Sequence, residues 1–130
     1  MSIDRPLNLS VLPGHFAICR LSPDQAIPQW ALSNKAFLSI TYTADELSIV
    51  CRSDVIPPDA QCEREWAAIK VQGPLDFSLT GTLASLAVPL AESRIPIFAV
   101  STFDTDYLLV REENLLRAKE VLGRCGHLLE

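Results

Sequence analysis

The chain has 130 residues, enough for one ordinary domain or two very small units sharing a core. Its 48% hydrophobic and 21% charged residues exclude a disordered chain. A net charge of −5, with the 11 basic residues scattered, excludes the positive stripe of a nucleic-acid face.

Leu7 to Leu12 and His15 to Leu21 predict two strands joined at Pro13-Gly14. Pro23 and Pro28 leave room for only a short helix near Asp24 to Leu32. Phe37 to Thr43 and Leu47 to Arg52 predict a second hairpin around Ala44-Asp45-Glu46. In "SDVIPPDAQCERE", Pro57-Pro58 forbids helix, which marks a linker at residues 54 to 64 and divides the chain into units 1–60 and 61–130.

The second half is the more regular. Trp66 to Gln72 reads as a strand stopped by Gly73-Pro74. Leu83, Leu86, Ala87 and Leu90 recur at helical spacing, with Thr80 as the expected N-cap and Pro89 as a kink or restart. Ile95 to Thr102 is a near-continuous apolar strand, and a turn at Phe103 to Thr105 leads into a strand from Asp106 to Val110. A helix with Leu115, Leu116 and Leu122 on one face follows, C-capped by Gly123 or Gly126, and His127 to Glu130 can add a short strand. The order is β-α-β-β-α-β, the ferredoxin-like arrangement of an α+β protein.

The first half reads as a degenerate copy of the same unit with shortened helices. At an offset of 60 residues, Leu9 and Val11 fall on Ile69 and Val71, and Leu47 to Val50 falls on Tyr107 to Val110.

Few residues offer chemistry. Cys19, Cys51, Cys62 and Cys125 are far apart and make no CxxC pair, and neither His15 nor His127 neighbours a ligand pattern. No metal site is expected, and the cysteines read as reduced thiols of a cytoplasmic protein. The N-terminus has no secretory pattern, and the apolar run Leu86 to Ala91 is far short of a membrane span. No nucleophile elbow, phosphate loop or dinucleotide fingerprint occurs, so no enzyme and no cofactor are expected.

Two stretches stand out. "GPLDFSLTG" leaves a strand and enters a helix, where backbone N–H groups at the positive end of the dipole suit a small carboxylate, or form an ordinary helix start. "STFDTDYLLV" places Asp104 and Asp106 ahead of a buried strand, as turn formers or as partners for a cation.

The "PLAE", "STFDTDYLLV" and "REENL" motifs, within "GPLDFSLTGTLASLAVPLAESRIPIFAVSTFDTDYLLVREENLLRA", resemble the ACT-domain superfamily. The likeness is greatest to small tandem-ACT proteins related to the cytosolic arginine sensors, and "LNLSVL" and "FLSITYTADELSIV" match in pattern. The resemblance implies tandem ACT units on an antiparallel sheet with helices on one face, and a homodimer that binds an amino acid and regulates a protein partner. It implies a ligand between a helix-start loop (Asp76, Phe77, Ser78, Thr80, Gly81) and strand ends (Ile95, Pro96, Ile97, Thr102, Phe103, Thr105, Asp106). Asp106 matches the ligand-contacting aspartate, with Thr102 and Phe103 as neighbouring contacts. Pro96 stands where the arginine sensors offer a serine, so that part of the pocket is not reproduced and the amino acid is left open. The alternative function is a dimerisation module that binds nothing.

Overall fold

The computed structural model describes residues 6–75 and 80–130. In chain order the elements are β1 (Asn8–Val11), β2 (Phe16–Leu21), β3 (Ser39–Tyr42), β4 (Leu47–Arg52), β5 (Cys62–Val71), α1 (Thr82–Glu92), β6 (Ile97–Ser101), β7 (Asp106–Arg111), α2 (Leu115–Arg124) and β8 (Leu128–Leu129). Short 3-10 turns occupy Gln29–Leu32, Ser53–Val55 and Glu112–Asn114. This is an α+β fold.

Pro13-Gly14 does not close a hairpin, contrary to the sequence expectation. β1 runs antiparallel to the end of β5, with Leu9 opposite Val71 and Val11 opposite Ile69, whereas β2 pairs with β4 and with the start of β5. The residues that a 60-residue offset aligns as repeat equivalents, Leu9 and Val11 with Ile69 and Val71, are therefore hydrogen-bonded neighbours. Strands that pair must present the same apolar alternation, so a shared pattern cannot distinguish partner from copy.

Two compact units result, one of the chain up to Pro13 with Ala67–Glu130, the other of Gly14–Trp66. The first carries the β-α-β-β-α-β order from β5 to β8, with β1 inserted between β5 and β8. Alternate residues Ala67, Ile69 and Val71 of β5 and Leu108 and Val110 of β7 share one face. Leu86 and Leu90 of α1 and Ala118, Val121 and Leu122 of α2 pack into the same core cluster. Burying each of these leucines stabilises the unit by about 1.5–3 kcal/mol.

α1 runs through Pro89 as one helix. Proline has no N–H for the carbonyl four residues back, which is that of Ser85. His127, 3% exposed, supplies the replacement: its Nε2 lies 3.3 Å from Ser85 O. Its Nδ1 accepts the Leu7 N–H at 3.1 Å, which leaves the ring proton on Nε2. One imidazole thus satisfies two backbone groups, and Pro89 sits in the helix without orphaning the part-buried Ser85 carbonyl.

Both helices of this unit end in left-handed backbone. At α2 the residue is Gly126, with His127 N bonded to Leu122 O at 3.2 Å. At α1 it is Arg94 (φ 59), with Ile95 N bonded to Leu90 O at 2.9 Å. These are the closing bonds of a Schellman motif.

In the second unit the 3-10 turn Gln29–Leu32 stands where the first has α1. Its core gathers Ala17, Cys19, Ala31, Leu47, Ile49, Cys51 and Ile56. Seventeen residues separate β2 from β3, against 25 between β5 and β6 (22–38 and 72–96), too few for a matching helix with Pro23 and Pro28 among them. The hairpins β3–β4 and β6–β7, and the 3-10 turns that follow them, correspond at an offset of 59.

Candidate functional site

The site grows from the turn between β6 and β7. Thr102 N donates to Thr105 O at 2.8 Å, closing a two-residue loop with Phe103 and Asp104 at its tip. The Thr102 hydroxyl braces it, accepting Thr105 N–H at 3.3 Å and lying 3.1 Å from Thr105 O. These are the local side-chain bonds for which threonine favours turns. Phe103 is 79% exposed, an apolar ring at the outermost point of the loop.

Three contacts clamp this turn to the end of β5. The hydroxyl of Thr105, itself only 5% exposed, donates to Val71 O at 2.6 Å. Leu75 N donates to Asp104 O at 2.6 Å. Between them lies Gly73, where an added Cβ would stand 2.9 Å from Asp104 O and 3.0 Å from Thr105 Cβ. Gly73 is required here by space, since its backbone is not left-handed.

Beneath the turn, Ser101 and Asp106 face each other across the hairpin, and the Ser101 hydroxyl donates to Asp106 Oδ1 at 2.5 Å. The carboxylate is half-buried, with its second oxygen and further lone pairs available to a cationic or N–H donor. Ser101 was not among the residues the sequence put forward; the signal for it was its place directly opposite Asp106 across a tight turn.

The expected residues divide into three groups. Thr102, Phe103, Thr105 and Asp106 come together in the clamped turn. Thr80 and Gly81 lie at the start of α1, both exposed. Gly81 (φ 79), not Thr80, is the N-cap, and no side chain caps the helix. An added Cβ at Gly81 would meet nothing within 4 Å, so there the backbone angle, not space, calls for glycine. Asp76, Phe77 and Ser78 lie outside the described residues. Ile95, Pro96 and Ile97 sit at the far end of β6: Ile97 pairs with Val110 while Ser101 pairs with Asp106, four residues or about 13 Å along the strand.

Among the described residues no three His, Cys, Asp or Glu are grouped to hold a metal ion, and no helix is long and apolar enough to cross a membrane.

Comparison with known proteins agrees with this architecture. An ACT-domain family model matches residues 61–124, and an N-terminal-domain family model matches residues 14–59, beginning where the second compact unit begins. Over 60 residues the chain is 38% identical to the human protein "Cytosolic arginine sensor for mTORC1 subunit 1". That match takes in 45% of this chain and only 18% of the sensor, as it does for the bovine protein. A crystal structure of an Agobacterium tumefaciens protein shares 45% identity and a TM-score of 0.91, covering 97% of this chain and 93% of that one. The regulatory subunit of aspartate kinase from Thermus thermophilus shares the fold, with a TM-score of 0.63 at 12% identity over 91% of this chain and 97% of that one. With β5 to α2, all of its β-α-β-β-α-β unit but the last strand, lying within the matched span, the chain belongs to the ACT-domain family, a regulatory fold, and is related in sequence to the cytosolic arginine sensors.

Proposed function

We propose that this protein is a non-catalytic sensor that binds an amino acid as a homodimer of tandem ACT units, divided in sequence near residue 60, and regulates a protein partner in the cytoplasm. The observation that carries the reading is the Ser101–Asp106 pair. An exposed hydroxyl holds a half-buried carboxylate in place at the end of the hairpin, and the turn above them is clamped by Thr105, Leu75 and Gly73. A half-buried carboxylate on a rigid strand end is suited to an ammonium or guanidinium group, with Phe103 beside it to cover an apolar stem.

The helix-start loop, Asp76 to Gly81, is assigned the ligand's carboxylate, by its backbone N–H groups and the helix dipole. Ile95, Pro96 and Ile97 are too far along β6 to share one small ligand with Asp106 of the same chain. In this proposal they meet it from a second copy. β6 bonds only to β7 among the described strands, and carries half-buried Ile97, Phe98 and Val100. Such an edge can extend a sheet across a two-fold axis. That edge also favours the second reading, a dimerisation module that binds no ligand.

A thermal-shift screen with each common amino acid at millimolar concentration tests this, run beside sedimentation. A ligand that prefers the folded chain raises its melting temperature by mass action. The expected result is a dimer, a shift with one amino acid, and loss of that shift in Asp106→Ala with the dimer intact. A dimer that no amino acid stabilises leaves the module reading standing alone; a monomer sinks both.

A further inference from the structure

Cys19, Cys51 and Cys62 take no part in the turn described above, and the fold collects them on one face of the second unit although the sequence spreads them over 44 residues (19–62). Cys19 is directly opposite Cys62 in the β2–β5 ladder, and Cys51, opposite Ala17 on β4, is its diagonal neighbour on the other side. Arg20 N donates to Gln61 O at 3.1 Å, which makes Arg20 and Gln61 a hydrogen-bonded pair. In an antiparallel ladder the two kinds of pair alternate, so Cys19 and Cys62 form the adjacent non-hydrogen-bonded pair, with Cα atoms about 4.5 Å apart and side chains drawn together. That separation lies within the range a disulfide spans, roughly 4.4–6.8 Å. The diagonal Cys19–Cys51 pair is wider, about 7–8 Å between Cα atoms, beyond that reach.

Cys19 thus stands between Cys62 on β5 and Cys51 on β4. Cys19 and Cys51 are buried, while Cys62 is half-exposed and lies 3.6 Å from Ala60 O. Accepting the Cys19 thiol proton lowers the Cys51 pKa, and burial pushes that of Cys62 up. The Cys19 thiol is held well above the usual thiol range, by its interaction with Cys51 and then by burial, and the positive charge of Arg64 is a lesser, opposing influence there and at Cys62.

We propose that Cys19 and Cys62 form a thiol-oxidation site, which a low-molecular-weight disulfide converts into a cross-strand disulfide. Cys62, the only one of the three with solvent access, gives up its proton and attacks a sulfur of the reagent, releasing one reagent thiol and forming a mixed disulfide. Cys19 then gives up its proton and attacks Cys62 Sγ, releasing the second reagent thiol. Two protein thiols are oxidised and one reagent disulfide is reduced to two thiols. The new bond ties β2 to the start of β5, and Cys51 remains a thiol beside it. The proposal does not depend on ligand binding at the β6–β7 turn.

The test treats the full chain with excess oxidised glutathione, alkylates it after denaturation, and maps the peptides by mass spectrometry. The expected product has lost two hydrogens, links the Cys19 and Cys62 peptides, leaves Cys51 and Cys125 alkylated, and reverts under a phosphine reductant. Its melting temperature is higher than that of the reduced chain, and Cys62→Ser forms no such link. The proposal is overturned by four alkylated cysteines, by a Cys19–Cys51 link, by a lasting glutathione adduct on Cys62, or by a link between chains through Cys125. The wild-type map decides the matter even if Cys62→Ser fails to fold.

Discussion

The two hairpin turns, Thr43–Glu46 and Thr102–Thr105, are built alike and used differently. In each, a threonine N–H bonds the carbonyl three residues on, at 2.9 Å from Thr43 to Glu46 and 2.8 Å from Thr102 to Thr105. In each, the threonine hydroxyl accepts the N–H of that same residue, at 3.1 and 3.3 Å. Even the aspartate carbonyl at the tip is bonded in both, Asp45 O by the Arg20 guanidinium at 3.1 Å and Asp104 O by Leu75 N at 2.6 Å. The pairs that flank the turns differ. Tyr42 faces Leu47, which is fully buried, whereas Ser101 faces Asp106, which is half-buried and charged. With the same scaffold on both sides, the polar pair is the part that folding does not require.

The clamp is the second difference, and its removal has the largest expected cost. Gly73→Ala sets a methyl group 2.9 Å from the Asp104 carbonyl, which is backbone and cannot rotate away. Forcing such an overpacked contact costs about 1–3 kcal/mol. Urea unfolding should show a lower midpoint at unchanged slope. A cost below ~0.5 kcal/mol would mean that the second turn is no better held than the first.

Thr105→Val keeps the shape and removes the hydroxyl that serves Val71 O, leaving a buried carbonyl with one bond fewer. The expected loss is about 1–2 kcal/mol. Its counterpart at the offset of 59, Glu46, is only half-buried and its side chain serves no buried carbonyl in the hydrogen bonds of that turn, so Glu46→Ala should stay within roughly 0.5 kcal/mol. Equal costs at the two positions would end the distinction between a clamped and an unclamped turn.

The second half of the chain also has a helix that the first lacks, and its proline makes the next test. In wild type the Ser85 carbonyl relies on His127, because Pro89 has no N–H. In Pro89→Ala a helical donor returns to Ser85. His127→Ala should therefore cost less in that background than alone, by a coupling of about 0.5–1.5 kcal/mol in a double-mutant cycle. Additive costs would mean that the imidazole acts only through Leu7.

Much of this was legible in the sequence, and the failures share a cause. Local signals held: the two hairpins, α2 with Gly126 beyond its end, and the last short strand. Long-range pairing was not written locally. Leu9 and Val11 looked like the copy of Ile69 and Val71 because partners across a ladder and repeats of a strand carry the same alternation. The apolar pattern aligns the hairpins at an offset of 60, whereas their strands and turns correspond at 59. Gly73 read as a strand terminator, and only its 2.9 Å approach to Asp104 O reveals the clamp. The thiol cluster was invisible because Cys19, Cys51 and Cys62 belong to three strands whose register no spacing encodes.

The smallest stability effect is expected where the functional effect is greatest. Asp106→Leu installs in the second turn the residue that the first carries at Leu47. The strand position accepts leucine there, buried, in the same hairpin geometry. Losing the Ser101 bond and gaining apolar contact should nearly offset each other, for a net change within roughly 0.5 kcal/mol of wild type. Stability measured by urea should thus hold while any amino-acid-dependent rise in melting temperature disappears. A large loss of stability with the shift retained would instead make Asp106 part of the scaffold, and the two turns would differ only in how they are built.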